Sequence, residues 1–348
     1  MKDVRNQARQ HMKGFCKVCP VCDGRACVGQ VPGMGGLGTA SSFKNNIEGL
    51  AAYKLNMRLL HDVKEPSLAT QFLGFDMALP VMAAPIGGVS YNMGTVVSEQ
   101  DYIDAIVNGC NARGVVGCTG DGVPPHIHES GFASIKAADG RGIPFIKPWD
   151  SAELDEKLDK ALATGCKVIG MDVDAAGLIT LRLLGRPVAP KSPVELKAIV
   201  DKVHAAGATF ILKGVMTADD AIKAAELGVD AIIVSNHGGR VLDHTPATAT
   251  VLPAIVDAVR AYEATNSASP MGIMVDGGVR DGADIFKMLA LGADMVLIGR
   301  PFSVAAIGGL EEGVTKYLDQ LKAQLTQAMV LTGCPDIASI SRAALYGL

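Results

Sequence analysis

The stretch Phe210-Ile-Leu-Lys-Gly-Val-Met-Thr-Ala-Asp-Asp-Ala-Ile-Lys-Ala-Ala-Glu-Leu-Gly-Val-Asp-Ala-Ile-Ile-Val-Ser235 carries the fold in miniature. Its two ends, Phe210–Lys213 and Ala231–Ser235, are short aliphatic runs without polar alternation, as strands buried on both faces are. Between them, Ala218–Leu227 sets apolar residues three and four apart, which is the period of a helix with one buried face. The same alternation extends outward in both directions. Further strand-like runs are Leu79–Ala84, Gly114–Cys118, Pro144–Lys147, Lys167–Asp172, Gly272–Asp276 and Met295–Ile298, and Ala283–Leu291 repeats the helical pattern. Eight short buried strands, spaced by helices over about 220 residues, predict an α/β fold of the closed parallel (β/α)8 barrel type. Strand count alone also admits a doubly wound open sheet.

The boundary falls near residue 78. Residues 78–348 read as the barrel, and residues 1–77 as an N-terminal extension of different character. The extension holds a basic start, a cysteine cluster, the Gly-rich Gly29–Gly38 and a helix through Asn45–Leu50. Gly33-Met-Gly-Gly-Leu-Gly38 formally matches GxGxxG, but no strand precedes it, so it does not read as a dinucleotide site. Gly177–Ser192 reads as a long loop after the fourth strand, either a lid or a solvated connection.

Composition narrows the class. The chain has 348 residues, 49% hydrophobic and 20% charged, with 32 Lys+Arg against 36 Asp+Glu and a net charge of −4. No broad cationic surface for nucleic acid is expected from that balance. No apolar run is long enough to span a membrane. The start, Met1-Lys-Asp-Val-Arg5, shows no secretory h-region, so a cytoplasmic globular protein is expected.

Residues suited to chemistry gather at strand ends. Ile233-Val-Ser-Asn-His-Gly-Gly-Arg240 places Ser235, Asn236, His237 and Arg240, with Gly238 between the last two, where the sixth strand enters its loop, on the active face of a barrel. Histidine suits proton transfer near neutrality and arginine suits bidentate carboxylate binding. Against this stands a bland reading, in which His237 caps a helix and Arg240 pairs at the surface. Asp276-Gly-Gly-Val-Arg280 and Gly299-Arg300-Pro301 end the last two strands, where glycines and a helix N-terminus make a phosphate site. Lys213 ends an apolar strand and needs a pocket, an anion or a route to water. Asp172 and Asp174 share one side of the fourth strand by alternation; either serves to orient His237 or to cap the next helix. His126 and His128 read as an exposed loop pair after the second strand.

Together these segments resemble the FMN-dependent α-hydroxy acid oxidases and dehydrogenases, a family that includes glycolate oxidase, lactate oxidase and flavocytochrome b2. The likeness is strongest from Phe210 to Ala344, through Leu212-Lys-Gly-Val, the Ile233–Arg240 segment, Val275-Asp-Gly-Gly-Val-Arg-Asp-Gly, Gly299-Arg-Pro, Leu331-Thr-Gly-Cys and Ile340-Ser-Arg. It implies FMN as cofactor and oxidation of a small 2-hydroxy acid to a 2-oxo acid. The resemblance makes His237 the base, Asp174 its carboxylate partner, Arg240 the substrate-carboxylate ligand and Lys213 a neighbour of the flavin N1/O2 edge. It assigns Ala84, Pro85, Ile86, Thr119, Lys147, Asp172, Ser235, Gly238, Asp276, Gly277, Gly278, Arg280, Gly299 and Arg300 to flavin and phosphate. Trp149 and Arg182 fall near its substrate-reading positions. A homo-oligomer, tetramer or larger, is also implied, while the electron acceptor is left open.

Departures concentrate on the substrate side. Residues 15–50 lack the family's tyrosine, Lys147-Pro-Trp149 replaces Gln-x-Tyr, Cys118-Thr-Gly-Asp121 replaces a Ser/Thr–Trp segment, and Ile86 stands for a threonine. Arg182 is displaced by one position.

The cluster Cys16-x2-Cys19-x2-Cys22-x4-Cys27 lies outside the family pattern. Its compact spacing is that of thiolate runs holding iron–sulfur clusters, with zinc and free or redox-active thiols as alternatives. Two rival functions follow from the same residues: an FMN-dependent isomerase similar to type 2 isopentenyl diphosphate isomerase, and a non-enzymatic redox sensor. The isomerase leaves His237 and Arg240 unexplained, and turnover with hydroxy acids separates all three.

Overall fold

The computed structural model describes residues 1–347. A hairpin of β1 (Thr70–Phe72) and β2 (Phe75–Met77) precedes eight parallel strands: β3 (Val81–Ile86), β4 (Val116–Thr119), β5 (Ile143–Ile146), β6 (Val168–Asp172), β7 (Thr209–Val215), β8 (Ala231–Val234), β9 (Gly272–Val275) and β10 (Met295–Ile298). They pair in chain order and β10 pairs with β3, so the sheet closes and the open-sheet alternative falls. The eight strands are those the apolar runs mark out. Strands buried on both faces leave no polar alternation to confuse the reading.

Local chemistry starts the intervening helices. Ser98, Thr217 and Asp281 each accept a backbone N–H three residues on, and Ser192 with Glu195 forms a reciprocal capping box. Each such cap contributes about 1 kcal/mol. Phe72 lies against Gly272 at the start of β9, so the hairpin covers the N-terminal end of the barrel. The first helix, Lys2–His11, packs on the last one, where His11 Nδ1 sits 2.9 Å from the Ile307 carbonyl. That last helix, Arg300–Thr332, breaks at Leu310, whose φ is +47°. Ala8, Met12, Val18, Met34 and Leu50 join the same hydrophobic core as the barrel strands. Among the described residues no helix is long and apolar enough to cross a membrane.

Two departures from the sequence reading matter for the site. Strand β7 runs on to Val215, and its register against β8 shifts between Lys213 and Val215. Gly214 sits in that bulge at φ +110°, and a Cβ there would fall 2.6 Å from the Asp174 Cβ. Any other residue at 214 would push Asp174 away from Lys213. The segment after β6 is not simply a loop: Ile179–Leu183 is a short helix, because Leu178 and Leu181 are buried while Arg182 points outward.

Candidate active site

The C-terminal ends of β3–β10 surround one cleft, the position where barrels carry their chemistry. Beneath its floor Asp174, Lys213 and His237 meet. His237 Nδ1 is 3.1 Å from Asp174 Oδ1, and Lys213 Nζ is 3.3 Å from Asp174 Oδ2 and 3.2 Å from His237 Nδ1. Their side chains are 19%, 9% and 4% exposed for His237, Asp174 and Lys213. Ligand atoms of Asp172, Asp174 and His237 lie within 4.8 Å of one another. The Lys213 ammonium joins this group, and the Lys147 ammonium lies 3.0 Å from Asp172 Oδ2, so two ammonium groups offset the two carboxylates in an acid–base cluster. Asp174 reaches it from the 3-10 turn Val173–Gly177 rather than from the strand, so alternation is not what aligns it with Asp172.

The electrostatics have clear signs. Burial favours the neutral form of Asp174, but the Lys213 charge and the hydrogen bonds from His237 and Lys213 outweigh it and hold the carboxyl far below its usual range. Burial also works against the Lys213 ammonium, yet Asp174, Asp276 and Asp172 hold its pKa above the ordinary value. Burial, then the Lys213 charge, pull His237 below its ordinary value, with Asp174 opposing. A neutral imidazole at neutral pH follows. When Nδ1–H donates to Asp174, the lone pair left for chemistry is on Nε2.

His237 is held in an unusual backbone state. Its φ is +56°, and Gly238 and Gly239 continue in the left-handed region. Ser235 Oγ accepts the His237 N–H at 3.0 Å and donates to Asp276 Oδ2 at 2.9 Å. Ser235 thus acts by positioning its neighbours and does not itself line the cleft.

Arg240 faces the cleft from the loop after β8. Its Nη1 donates to the carbonyls of Gly33 and Gly35 at 2.5 and 3.3 Å, and Nη2 donates to Asn92 Oδ1 at 2.9 Å. Arg300 is held likewise, with Nε on the Met34 carbonyl at 2.7 Å and Nη2 on that of Gly35 at 3.0 Å. A Cβ at Gly35 would fall 2.2 Å from the Cys27 carbonyl oxygen, so this close seating requires glycine. The Gly-rich run that resembled a dinucleotide loop is a clamp for two arginines.

Other expectations need correcting. Trp149 does not line the cleft: it is 2% exposed, and its indole Nε1 donates to Asp121 Oδ2 at 2.5 Å. Lys157 lies 4.3 Å above its ring centre and also bonds Asp121, so the tryptophan belongs to a buried polar knot. Thr119 points away as well, against Gly131 of the helix Pro125–Ala137; Gly120 and Asp121 border the cleft instead. Arg182 is exposed and bonds only the Ala176 carbonyl, at 3.5 Å. His126 and His128 lie on a helix, not in a loop, and His128 is buried 3.4 Å from Asp121.

Sequence reasoning missed Tyr91, Asn92 and Met34 as cleft residues. Tyr91 and Asn92 lie on the short helix Val89–Asn92, whose start is held by Glu99: its buried carboxylate accepts the N–H groups of Gly88 and Val89 at 2.9 and 2.6 Å. No periodicity marks such residues, and only the fold brings them in.

The cleft suits a flavin mononucleotide. It runs from Lys147, Asp172, Lys213 and His237 past Ala84–Ile86 and Gly277–Gly278 to Arg280, Gly299 and Arg300. Asp172 Oδ1 and Asp276 Oδ1 are buried without partners, as acceptors awaiting N–H or O–H donors would be. At the far end the N-terminus of the helix Arg300–Thr332 adds its free N–H groups and positive dipole end, which suit a phosphate.

The profile of the FMN-dependent dehydrogenase family matches residues 33–193 and 190–347. A peroxisomal (S)-2-hydroxyacid oxidase of Arabidopsis thaliana is 32% identical over 345 residues, covering 88% of this chain and 89% of its own. An L-lactate oxidase of Lactobacillus jensenii is 28% identical, covering 87% of this chain and 77% of its own. A crystal structure of mandelate oxidase superposes with a TM-score of 0.77 at 26% identity, covering 99% of this chain and 96% of that one. With the match running through both halves of the barrel and across its catalytic mouth, the chain belongs to the FMN-dependent dehydrogenase family.

Proposed function

We propose that the protein oxidises a 2-hydroxy acid to the 2-oxo acid, with His237 as base and Arg240 as carboxylate ligand. The observation that carries this reading is the Asp174–His237 pair beside Lys213, with Arg240 on the same cleft. Bound FMN supplies the acceptor for the two electrons that leave the substrate. Lys147, Lys213, Asp172, Asp276 and the Gly277–Arg280 and Gly299–Arg300 segments would hold it.

The chain's own residues account for the rest. Arg240 fixes one end of the substrate with the guanidinium hydrogens that the Gly33, Gly35 and Asn92 acceptors leave free. Burial and the neighbouring Arg300 charge disfavour its cation, so an arriving carboxylate meets a poorly compensated charge. His237 Nε2 takes the proton released as the hydroxyl carbon becomes a carbonyl, and Asp174 then stabilises the imidazolium. Tyr91, Val123, Ile127, Leu178, Leu181 and Leu184 border the cleft with largely apolar surface. That lining favours a substrate with an aliphatic or aromatic side chain over a polar one.

The test is anaerobic reduction of the bound flavin by glycolate, lactate, 2-hydroxyisocaproate and mandelate. Bleaching is expected, with the larger acids acting at lower concentration; no bleaching by any of them overturns the reading. Denatured protein is expected to release about one FMN per chain, because one phosphate site ends the cleft. Release of FAD, or of no flavin, counts against the site. Arg240→Lys is expected to raise KM for the hydroxy acid by about tenfold or more, since lysine lacks the planar fork. Unchanged KM would place the carboxylate elsewhere.

A further inference from the structure

We propose that Cys16, Cys19, Cys22 and Cys27 hold a [4Fe–4S] cluster in a cavity that shares its inner wall with the phosphate end of the flavin cleft. All four thiols are free, and all four line one cavity of about 410 Å3. Met34, Gly278, Arg280 and Arg300 border both this cavity and the cleft.

The loop that carries the cysteines is built to present sulfur inward. Its carbonyls bond cations: Val18 accepts from Arg9 at 2.8 Å, Cys19 from Arg5 at 2.5 Å, Ala26 from Lys17 at 2.5 Å, and Cys22 from Arg280 Nη2 at 3.1 Å. Between Cys16 and Cys27 the only helical turn is the short Arg25–Cys27, and Val21 is 69% exposed. Val18 is this loop's buried apolar anchor, and the thiols around it line a space that a ligand would hold together.

Sulfur spacing separates the candidate metals. Among the described residues, the sole group of three or more His, Cys, Asp or Glu ligand atoms within 4.8 Å is Asp172, Asp174 and His237. No three of these four sulfurs therefore converge that closely. One tetrahedral zinc, with bonds of about 2.3 Å, holds its sulfurs under about 4 Å apart. A cubane places a separate iron behind each thiolate and spreads them further.

The wall charge fits as well. A cluster with four thiolates is a net anion, and Arg5, Lys17, Arg280, Lys287 and Arg300 line this cavity, against Asp23, Asp281 and Asp284. Arg280 Nη2 also lies 3.6 Å from Cys22 Sγ, an N–H···S contact of the sort that tunes cluster potential. Loading a preassembled cluster is a ligand exchange: four S–H bonds and the four bonds from iron to the donor's terminal thiolates break, four Fe–S bonds to the protein form, and the departing thiolates carry away the four protons, with no net electron transfer. The role that follows from the position is a one-electron outlet. The two electrons lost by one hydroxy acid would pass singly to two molecules of a one-electron carrier.

Metal content tests the site without reference to turnover or to the hydroxy-acid reading. Holoprotein purified anaerobically, and again after reconstitution with iron and sulfide, is assayed for iron, acid-labile sulfide, zinc and FMN. About four iron and four sulfide per chain are expected, with a cluster signal by electron paramagnetic resonance after dithionite reduction. The double variant Cys19→Ser, Cys27→Ser should lose most of the iron and sulfide while keeping its circular dichroism and FMN. Zinc alone, no iron after reconstitution, or equal iron in a folded double variant overturns the proposal. If the double variant does not fold, the wild-type metal and sulfide content decides.

Discussion

Replacing His237 with alanine is expected to lower turnover of a 2-hydroxy acid by about 10²–10⁴-fold while FMN stays bound. The imidazole is the only neutral base among the charged groups at the base of the cleft. Asp174 is held ionised by Lys213 and His237, and Lys213 is held protonated by three carboxylates. Neither takes over the proton. The flavin cradle does not depend on the ring, since Asp276, Gly277, Gly278, Arg280 and Arg300 come from other strands. Stopped-flow bleaching of the flavin by substrate measures the step directly. A variant within threefold of wild type would remove His237 from the chemistry. Flavin loss in the same variant would show instead that the ring, or its left-handed backbone at φ +56°, shapes the cofactor site.

Asp174→Asn should cost about as much, for a different reason, and its pH profile tells the two apart. Burial and Lys213 pull the His237 pKa down and Asp174 pushes it up. Removing the carboxylate's charge leaves the downward influences opposed only by the more weakly acting Asp172. The acid limb of kcat/KM, which reports protonation of the base, therefore moves to lower pH, while the maximal rate falls because the imidazolium loses its partner. Asparagine also offers an N–H where the ring needs an acceptor, so it permits the tautomer with the proton on Nε2. A rate loss of about 10²-fold or more with an acid limb shifted downward is the expected pair of results. An acid limb that stays in place, or moves up, would show that Asp174 does not sit against the titrating group.

How much of this was readable from the chain depends on what each residue touches. Val168–Asp172 and Ala231–Val234 announce themselves because a strand covered on both faces has no polar residue to spare. His237, Arg240 and Arg280 were legible because strand ends point to the mouth of any such barrel. Trp149 and Thr119 misled because strand position says which residue reaches the rim, not which way its side chain turns. The Asp121 carboxylate captures the indole, and the helix Pro125–Ala137 lies beside the threonine. Asn92 and Met34 had no local signature at all, since the groups they serve lie more than a hundred residues away in sequence. The bulge at Gly214 likewise belongs to the pairing of two strands, so one strand's sequence does not reveal it.

The clamp on Arg240 and Arg300 has a consequence for assembly. The bond from Arg240 to Gly33 closes a loop of 207 residues, that from Arg300 to Met34 one of 266, and the His11–Ile307 contact one of 296. Contacts of such sequence separation carry a large closure entropy and form late unless an earlier nucleus brings the ends together. A ribosome-bound chain that still lacks β10 has the histidine, its aspartate and the Met34 and Gly35 carbonyls, but neither the Arg300 side chain that those carbonyls seat nor the helix on which the first helix packs. The barrel's two ends thus finish the pocket together, and a nascent chain holds its most reactive residues incomplete until nearly the whole of it has been made.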